Sequence, residues 1–229
     1  MPDMTEPALF SWTVVMPVKV LAQAKSRLAV LAGSRRPSLA LAFASDTVSA
    51  VISCPDVARV LVVTSDTLAS RSLSELGAHV VPDEPDAGLN SALSFGAGEA
   101  ARRWPGGGVT ALTADLPALR PEELSRALRA AGRFAAGGDA VAAFMPDAAG
   151  VGTTMYAVAP WGEFTPKFGG ASRQRHAASG ALELSLDGVE GLRRDVDTPE
   201  DLRAAVALGT GLRTATVAAE LLDGASPVS

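Results

Sequence analysis

The chain has 229 residues, 48% of them hydrophobic, which is enough for one well-buried α/β domain and somewhat short for two. A formal net charge of −5 and a pI near 5.1 exclude a general electrostatic attraction to nucleic acid or anionic lipid, so any phosphate site has to be a local concentration of positive groups. The single cysteine, Cys54, excludes an intrachain disulfide and reads as a buried structural thiol in a reducing compartment.

No apolar run approaches the ~20 residues that a membrane helix needs, and the opening M-P-D-M-T-E-P lacks the basic start of a signal peptide. The expected setting is therefore the cytoplasm, with no membrane partner. Residues 1–10, with two prolines and two acids, read as a flexible leader. From Trp12 the run W-T-V-V-M-P is apolar nearly throughout, as a central strand covered on both faces should be, and Pro17 ends it. Lys19, Lys25 and Arg27 follow with no acid between them. They read either as an anion site at the strand's carboxyl end or as an ordinary solvated basic loop.

Leu41, Ala44, Val48, Val51 and Ile52 recur at helical spacing, which predicts a helix over 37–52 packed on the sheet. Residues 58–64 are a second buried strand. Ser65 and Asp66 are placed to start a helix that runs to Leu76 and stops at Gly77, before a short third strand over 78–81. The acidic, proline-rich half of P-D-E-P-D-A-G-L-N-S-A-L, residues 82–93, is a loop, and Leu89 onward returns to helix. Asn90 and Ser91 then lie near a helix N-terminus, either as caps or as contacts to a nucleotide base or ribose.

Gly106 to Gly108 form a turn; without G-x-G-x-x-G or a Walker lysine this is not a phosphate cradle. Next comes V-T-A-L-T-A-D-L-P-A-L, residues 109–119, in which strand-like residues run into Asp115 and Pro117 forbids continuation. A carboxylate delivered to the carboxyl edge of a parallel sheet suits Mg²⁺, and it also suits a turn or helix cap.

Residues 121–133 form a helix with proline in its first turn and Glu122 and Glu123 at its favourable end. Residues 139–145 and 153–159 are two more strands. The stretch from Gly152 opens G-T-T and reaches K-F-G-G-A-S-R-Q-R-H. It reads as an anion-binding concavity with Arg173, Arg175 and His176 adding donors, or as a surface turn before a basic helix. In L-R-R-D-V-D-T-P-E-D-L, Thr198 caps a helix with Pro199 in its first turn. Asp195 and Asp197 share one side of an extended segment, one a candidate metal ligand and the other a cap or supporting group.

The ordered set P-V-K-V-L-A-Q-A-K-S-R-L, G-L-N-S-A, T-A-D-L-P-A-L, G-T-T, F-G-G-A-S-R-Q-R-H and R-D-V-D-T-P-E-D-L resembles the 2-phospho-L-lactate and phosphoenolpyruvate guanylyltransferases of deazaflavin coenzyme biosynthesis. The likeness spans about residues 12–208. It implies an α/β fold, a three-layer sandwich around a mostly parallel mixed sheet of the GT-A-like nucleotidyltransferase (Rossmann-type) kind. One domain over 11–222 and a flexible tail over 223–229 complete the expected organisation.

The resemblance further implies that Asp115 and Asp195 hold Mg²⁺, and that Lys19 and Lys25 lie near the phosphates of the co-substrate GTP. It places Asn90, with Ser91, in the nucleotide loop, and Thr154, Gly169 and Ser172 on a phosphorylated three-carbon acid, with Arg175 as a further partner. Phosphoenolpyruvate is the expected acceptor, ahead of 2-phospho-L-lactate and 3-phosphoglycerate. A transient contact with the next enzyme of the pathway fits the same family, and the oligomeric state is left open. Sugar nucleotidyltransferases usually carry a glycine-rich loop after the first strand, and here P-V-K-V-L-A-Q-A-K replaces it. A molybdopterin-type transferase and a non-catalytic nucleotide-binding subunit are the competing readings. Two aspartates together with two lysines speak against the second.

Overall fold

A computed structural model describes residues 10–223 of the chain. In order its elements are β1 (Trp12–Pro17), α1 (Ala29–Ala32), α2 (Arg36–Ile52), β2 (Val57–Val63), α3 (Thr67–Glu75), β3 (His79–Val81), α4 (Leu89–Arg103) and β4 (Gly108–Leu112). There follow α5 (Pro121–Gly137), β5 (Ala142–Pro146), β6 (Thr153–Val158), α6 (Ser172–Ala178), β7 (Leu182–Glu183), α7 (Glu190–Arg193), α8 (Pro199–Leu208) and α9 (Leu212–Asp223).

The strands form one seven-stranded sheet in the order β3-β2-β1-β4-β6-β5-β7, in which only β6 runs against its neighbours. The apolar character of β1 has a direct cause in this arrangement. Val14 and Met16 face a cluster with Ala44 and Val48 of α2 and Leu124 and Leu128 of α5, while Val15 faces Ala92 and Leu93 of α4 on the opposite side. Helices cover both faces, giving three layers.

Because β6 is reversed, its amino end lies at the same edge as the carboxyl ends of β1, β4 and β5. The chain winds outward in opposite directions from β1 and β4, and the crevice above such a pair is where ligands bind in open α/β sheets.

Boundaries shift where local signals are weak. Strand β4 ends at Leu112, so Asp115 stands in the loop beyond it rather than on the strand. Helix α5 continues past Arg133 to Gly137 and stops at Gly138, which delays β5 to Ala142. Phe10, grouped by sequence with the leader, packs its ring on Trp12 at 4.9 Å and edge-on to Trp161 at 5.7 Å. The expectations for residues 1–9 and 224–229 lie outside the described residues. Among the described residues, no helix is long and apolar enough to cross a membrane.

Helix α9 carries no cap of its own in sequence; it borrows one from α2. The buried Asp46 accepts from the N–H groups of Arg213 (3.3 Å) and Thr214 (2.7 Å), and a Cβ on Gly211 would come within 2.3 Å of the Asp46 carboxyl carbon. Replacing Asp46 by alanine should therefore orphan two donors in the first turn of α9 and cost about 2 kcal/mol. Urea unfolding measures it: Asp46→Ala should lower the midpoint clearly, and Asp46→Asn, which keeps one acceptor oxygen, should lower it less.

Candidate active site

The crevice is assembled from four connections. The loop after β1 brings in Lys25, whose backbone takes the left-handed conformation (φ 55°, ψ 44°) that a non-glycine residue adopts only when its surroundings enforce it. The residue is held at both ends: its carbonyl accepts the Leu28 N–H at 2.9 Å, and Lys25 Nζ bonds the Asp115 carboxylate, from the loop after β4, and Asp197 Oδ1 at 2.7 Å. The same β1 loop is tied to the loop after β2, since Asp66 caps α3 and also accepts the Leu21 N–H at 2.9 Å.

Asp195 and Asp197 arrive through a backbone link. The Val196 N–H donates to the Asp115 carbonyl at 3.1 Å, and the Val196 side chain is buried with Leu28, Phe43 and Leu202. Strict alternation then leaves the flanking carboxylates on the other side, with Asp115. The D-V-D pattern leaves the division of labour undecided. The geometry assigns Asp197 to Lys25, with Arg27 a more distant partner at 4.0 Å, while the helix cap falls to Thr198 and Asp201.

Electrostatics separate the groups. Burial opposes charge on Lys25, but the Asp115 and Asp197 carboxylates outweigh it and hold its pKa above the usual lysine value. Burial also works against Asp197, and Lys25, Arg27 and Lys19 overcome it, so this carboxyl stays below its usual value. Asp195 has far less compensation. Burial, then repulsion from Asp115, Asp147 and Asp197, pushes it up to about 7 against the weaker help of Lys25. Lys19 is exposed at the rim of the crevice.

The second half of the crevice hangs from the amino end of β6. The Thr154 carbonyl accepts the Thr113 N–H at 3.0 Å, which joins it to the Asp115 loop. Thr153 Oγ1 lies 3.0 Å from His176 Nδ1, which joins it to the Gly169–Ser172 segment. Thr154 and Ser172 are buried, and the buried hydroxyls of Thr113 and Thr154, with Asp115 Oδ1 and Arg194 Nε, have no partner among the described residues. Gly169 (φ 92°) and Gly170 (φ 44°) both take left-handed conformations. Thr113 and Arg194 carry no motif beyond their place beside Asp115 and Asp195, and only the fold singles them out.

Several expected donors are committed elsewhere. Helix α4 begins after Gly88 without a side-chain cap, so neither Asn90 nor Ser91 is its N-cap. Asn90 instead pairs its amide with the backbone of Phe168, accepting at 2.8 Å and donating at 3.1 Å, and Ser91 follows it on the first turn. Arg175 Nη2 reaches the carbonyls of Lys167 (3.2 Å), Phe168 (3.4 Å) and Gly169. Arg173 pairs with Glu183 through two bonds of 2.9 and 2.8 Å.

His176 is buried against Tyr156 (ring centroids 4.7 Å apart) and Phe144 (5.5 Å), and this desolvation lowers its pKa to about 4, with Arg175 and Lys167 acting the same way and the Ser172 carbonyl opposing. It therefore adds no positive charge at neutral pH. The unfolded chain takes up a proton near pH 6.5 that the folded one refuses. The stability that His176 contributes is thus complete above about pH 6.5 and drains away as pH falls toward 4. Urea midpoints over that window should decline by the equivalent of about 2 kcal/mol more in the wild type than in His176→Gln. Parallel declines would show that His176 is not the group responsible.

A family model described as "Guanylyl transferase CofC like" matches residues 12–221. The phosphoenolpyruvate guanylyltransferase of Thermomonospora curvata is 58% identical over 214 residues, covering 93% of this chain and 91% of that protein. The protein of the same name from Streptomyces coelicolor is 58% identical over 212 residues, covering 92% and 97%. Among solved structures, a nucleotidyl transferase from Methanothermobacter thermautotroptrophicus matches with a TM-score of 0.56 at 19% identity, covering 87% of this chain and 98% of that one, a likeness of fold.

Proposed function

The chain belongs to the CofC-like guanylyl transferase family, and from that premise we propose that it transfers GMP from GTP to the phosphate of phosphoenolpyruvate, releasing pyrophosphate, in deazaflavin coenzyme biosynthesis. What supports the reading within the fold is the meeting of Asp115, Asp195, Asp197 and Lys25 over the ends of β1 and β4, beside the Thr154 end of β6. The acceptor is taken from relatives up to 58% identical that carry that activity in their names.

An oxygen of the acceptor phosphate attacks the α-phosphorus of GTP. The new P–O bond forms as the bond from the α-phosphorus to the bridging oxygen breaks, and the electron pair leaves on pyrophosphate. A phosphate monoester has its second pKa near ~6, so the attacking oxygen is already mostly ionised and no general base is needed. The task left to the protein is to bring two polyanions together in line. Lys25, Lys19 and Arg27 supply positive charge at the mouth of β1, where the triphosphate is proposed to lie. Thr154, Gly169 and Ser172 are proposed to hold the acceptor through hydroxyl and backbone donors.

Mg²⁺ fits the carboxylates. Asp115 keeps one buried oxygen without a partner among the described residues, and Asp195 sits buried among like charges with only the weaker help of Lys25. These two side chains would hold the ion, with Asp197 tied to Lys25 beside them. Mg²⁺ keeps part of its coordination sphere for substrate phosphates, so two carboxylates would suffice to hold it here. When bound it supplies charge neutralisation between the reacting phosphates.

The test is pyrophosphate release by the purified chain with each nucleoside triphosphate against phosphoenolpyruvate, 2-phospho-L-lactate and 3-phosphoglycerate. GTP with phosphoenolpyruvate should exceed every other pair in kcat/KM. A preference for CTP, or for another acid, would replace the substrate while leaving the nucleotidyl transfer in place.

A further inference from the structure

The four residues Lys167 to Gly170 precede α6 and form no strand, yet the side chains of Asn90, Arg175 and His176 bind their backbone. Asn90, from α4, accepts the Phe168 N–H and donates to the Phe168 carbonyl, satisfying both backbone polar groups of one residue as a neighbouring strand would. His176 Nε2 accepts the Lys167 N–H at 3.0 Å. A ring nitrogen that accepts there carries no proton, so in the neutral ring the hydrogen sits on Nδ1 and points to Thr153 Oγ1. The Phe168 side chain closes the arrangement, buried edge-on against the His176 ring at 5.3 Å.

We infer that Asn90 and His176 are positioning residues for the acceptor: together they fix the Lys167 and Phe168 peptides so that Gly169, Gly170 and Ser172 are already shaped before the acid binds. The inference rests on the proposed reaction, and assigns Asn90 to the acceptor side rather than to the nucleotide. Its basis is the cost of the arrangement. A partly buried polar network holds one shape only when its members are satisfied, and here Asn90 from α4 and His176 from α6 turn their polar atoms on the backbone of two successive residues immediately before a pair of left-handed glycines. A loop ordered in advance spares the acceptor the entropy of ordering it, which appears in the acceptor's apparent affinity and not in that of GTP.

The experiment uses the full chain and the variants Asn90→Ala, His176→Phe and His176→Gln. Phenylalanine keeps the ring against Tyr156 and Phe144 but loses the acceptor, whereas glutamine can return an acceptor toward Lys167. Hydrogen exchange should show the Phe168 amide losing protection about tenfold or more in Asn90→Ala, and the Lys167 amide doing so in His176→Phe. The KM for phosphoenolpyruvate should rise about tenfold in both while that for GTP stays within about twofold, and His176→Gln should recover most of the loss.

Equal rises in the two KM values, a rise for GTP alone, or an unchanged acceptor KM despite lost protection would overturn the positioning role. If His176→Phe fails to fold, Asn90→Ala, whose side chain is only half-buried, carries the same test. Absence of wild-type turnover with GTP and phosphoenolpyruvate would instead overturn the proposed function, and the acceptor role with it.

Discussion

Asp115→Asn should slow pyrophosphate release from GTP and phosphoenolpyruvate by about a hundred- to a thousandfold, equivalent to about 3–4 kcal/mol in the barrier. Asparagine has nearly the same shape and can still accept from Lys25, so the urea midpoint should move little. What it removes is the negative charge in the loop after β4, where one oxygen is buried without a partner among the described residues. Raising the Mg²⁺ concentration should recover part of the rate if the loss is one of cation affinity. Turnover within tenfold of the wild type would remove Asp115 from the reacting centre.

Lys25→Met carries the second large effect, and its two halves have opposite signs. Turnover should fall by about a hundredfold or more, because the cation nearest the proposed triphosphate site is gone. Divalent-cation binding by the free protein should tighten, because Lys25 neutralises Asp115 and Asp197 and its loss leaves three carboxylates sharing one crevice with less positive charge. Mn²⁺ titration followed by electron paramagnetic resonance reads the second half independently of activity. Weaker Mn²⁺ binding in Lys25→Met would mean that the lysine organises the carboxylates rather than competing for them.

The expected fold is met because its signals are local and repeated. Trp12 to Met16 and Val60 to Val63 turn apolar side chains to both faces, and Asp66 and Thr198 cap the helices they precede through their own side chains. The omitted elements lack such signals. Strand β7 has two residues, α7 has four, and the cap of α9 comes from Asp46, far away in sequence, so nothing near Leu212 announces a helix.

The site divides in the same way. Asp115 stands out because Pro117 interrupts a strand-like run, and Asp195 and Asp197 because alternation places them together. The partner of Asp197 depends on a contact between residues 172 positions apart, which no spacing rule supplies. Asn90 shows the limit of spacing from another side. Its position near a helix start suggests a cap or a nucleotide contact, but an amide can serve any peptide within reach, and Phe168 is brought to it by the fold alone.

The reaction itself is tested most directly by where the phosphorus atoms of GTP go. With phosphoenolpyruvate and a divalent cation, label at the α-phosphorus of GTP should appear in a new adduct with the acid, and label at the γ-phosphorus should leave entirely as pyrophosphate. Transfer of the γ-label to the acid, or release of labelled inorganic phosphate without an adduct, would contradict nucleotidyl transfer by this chain.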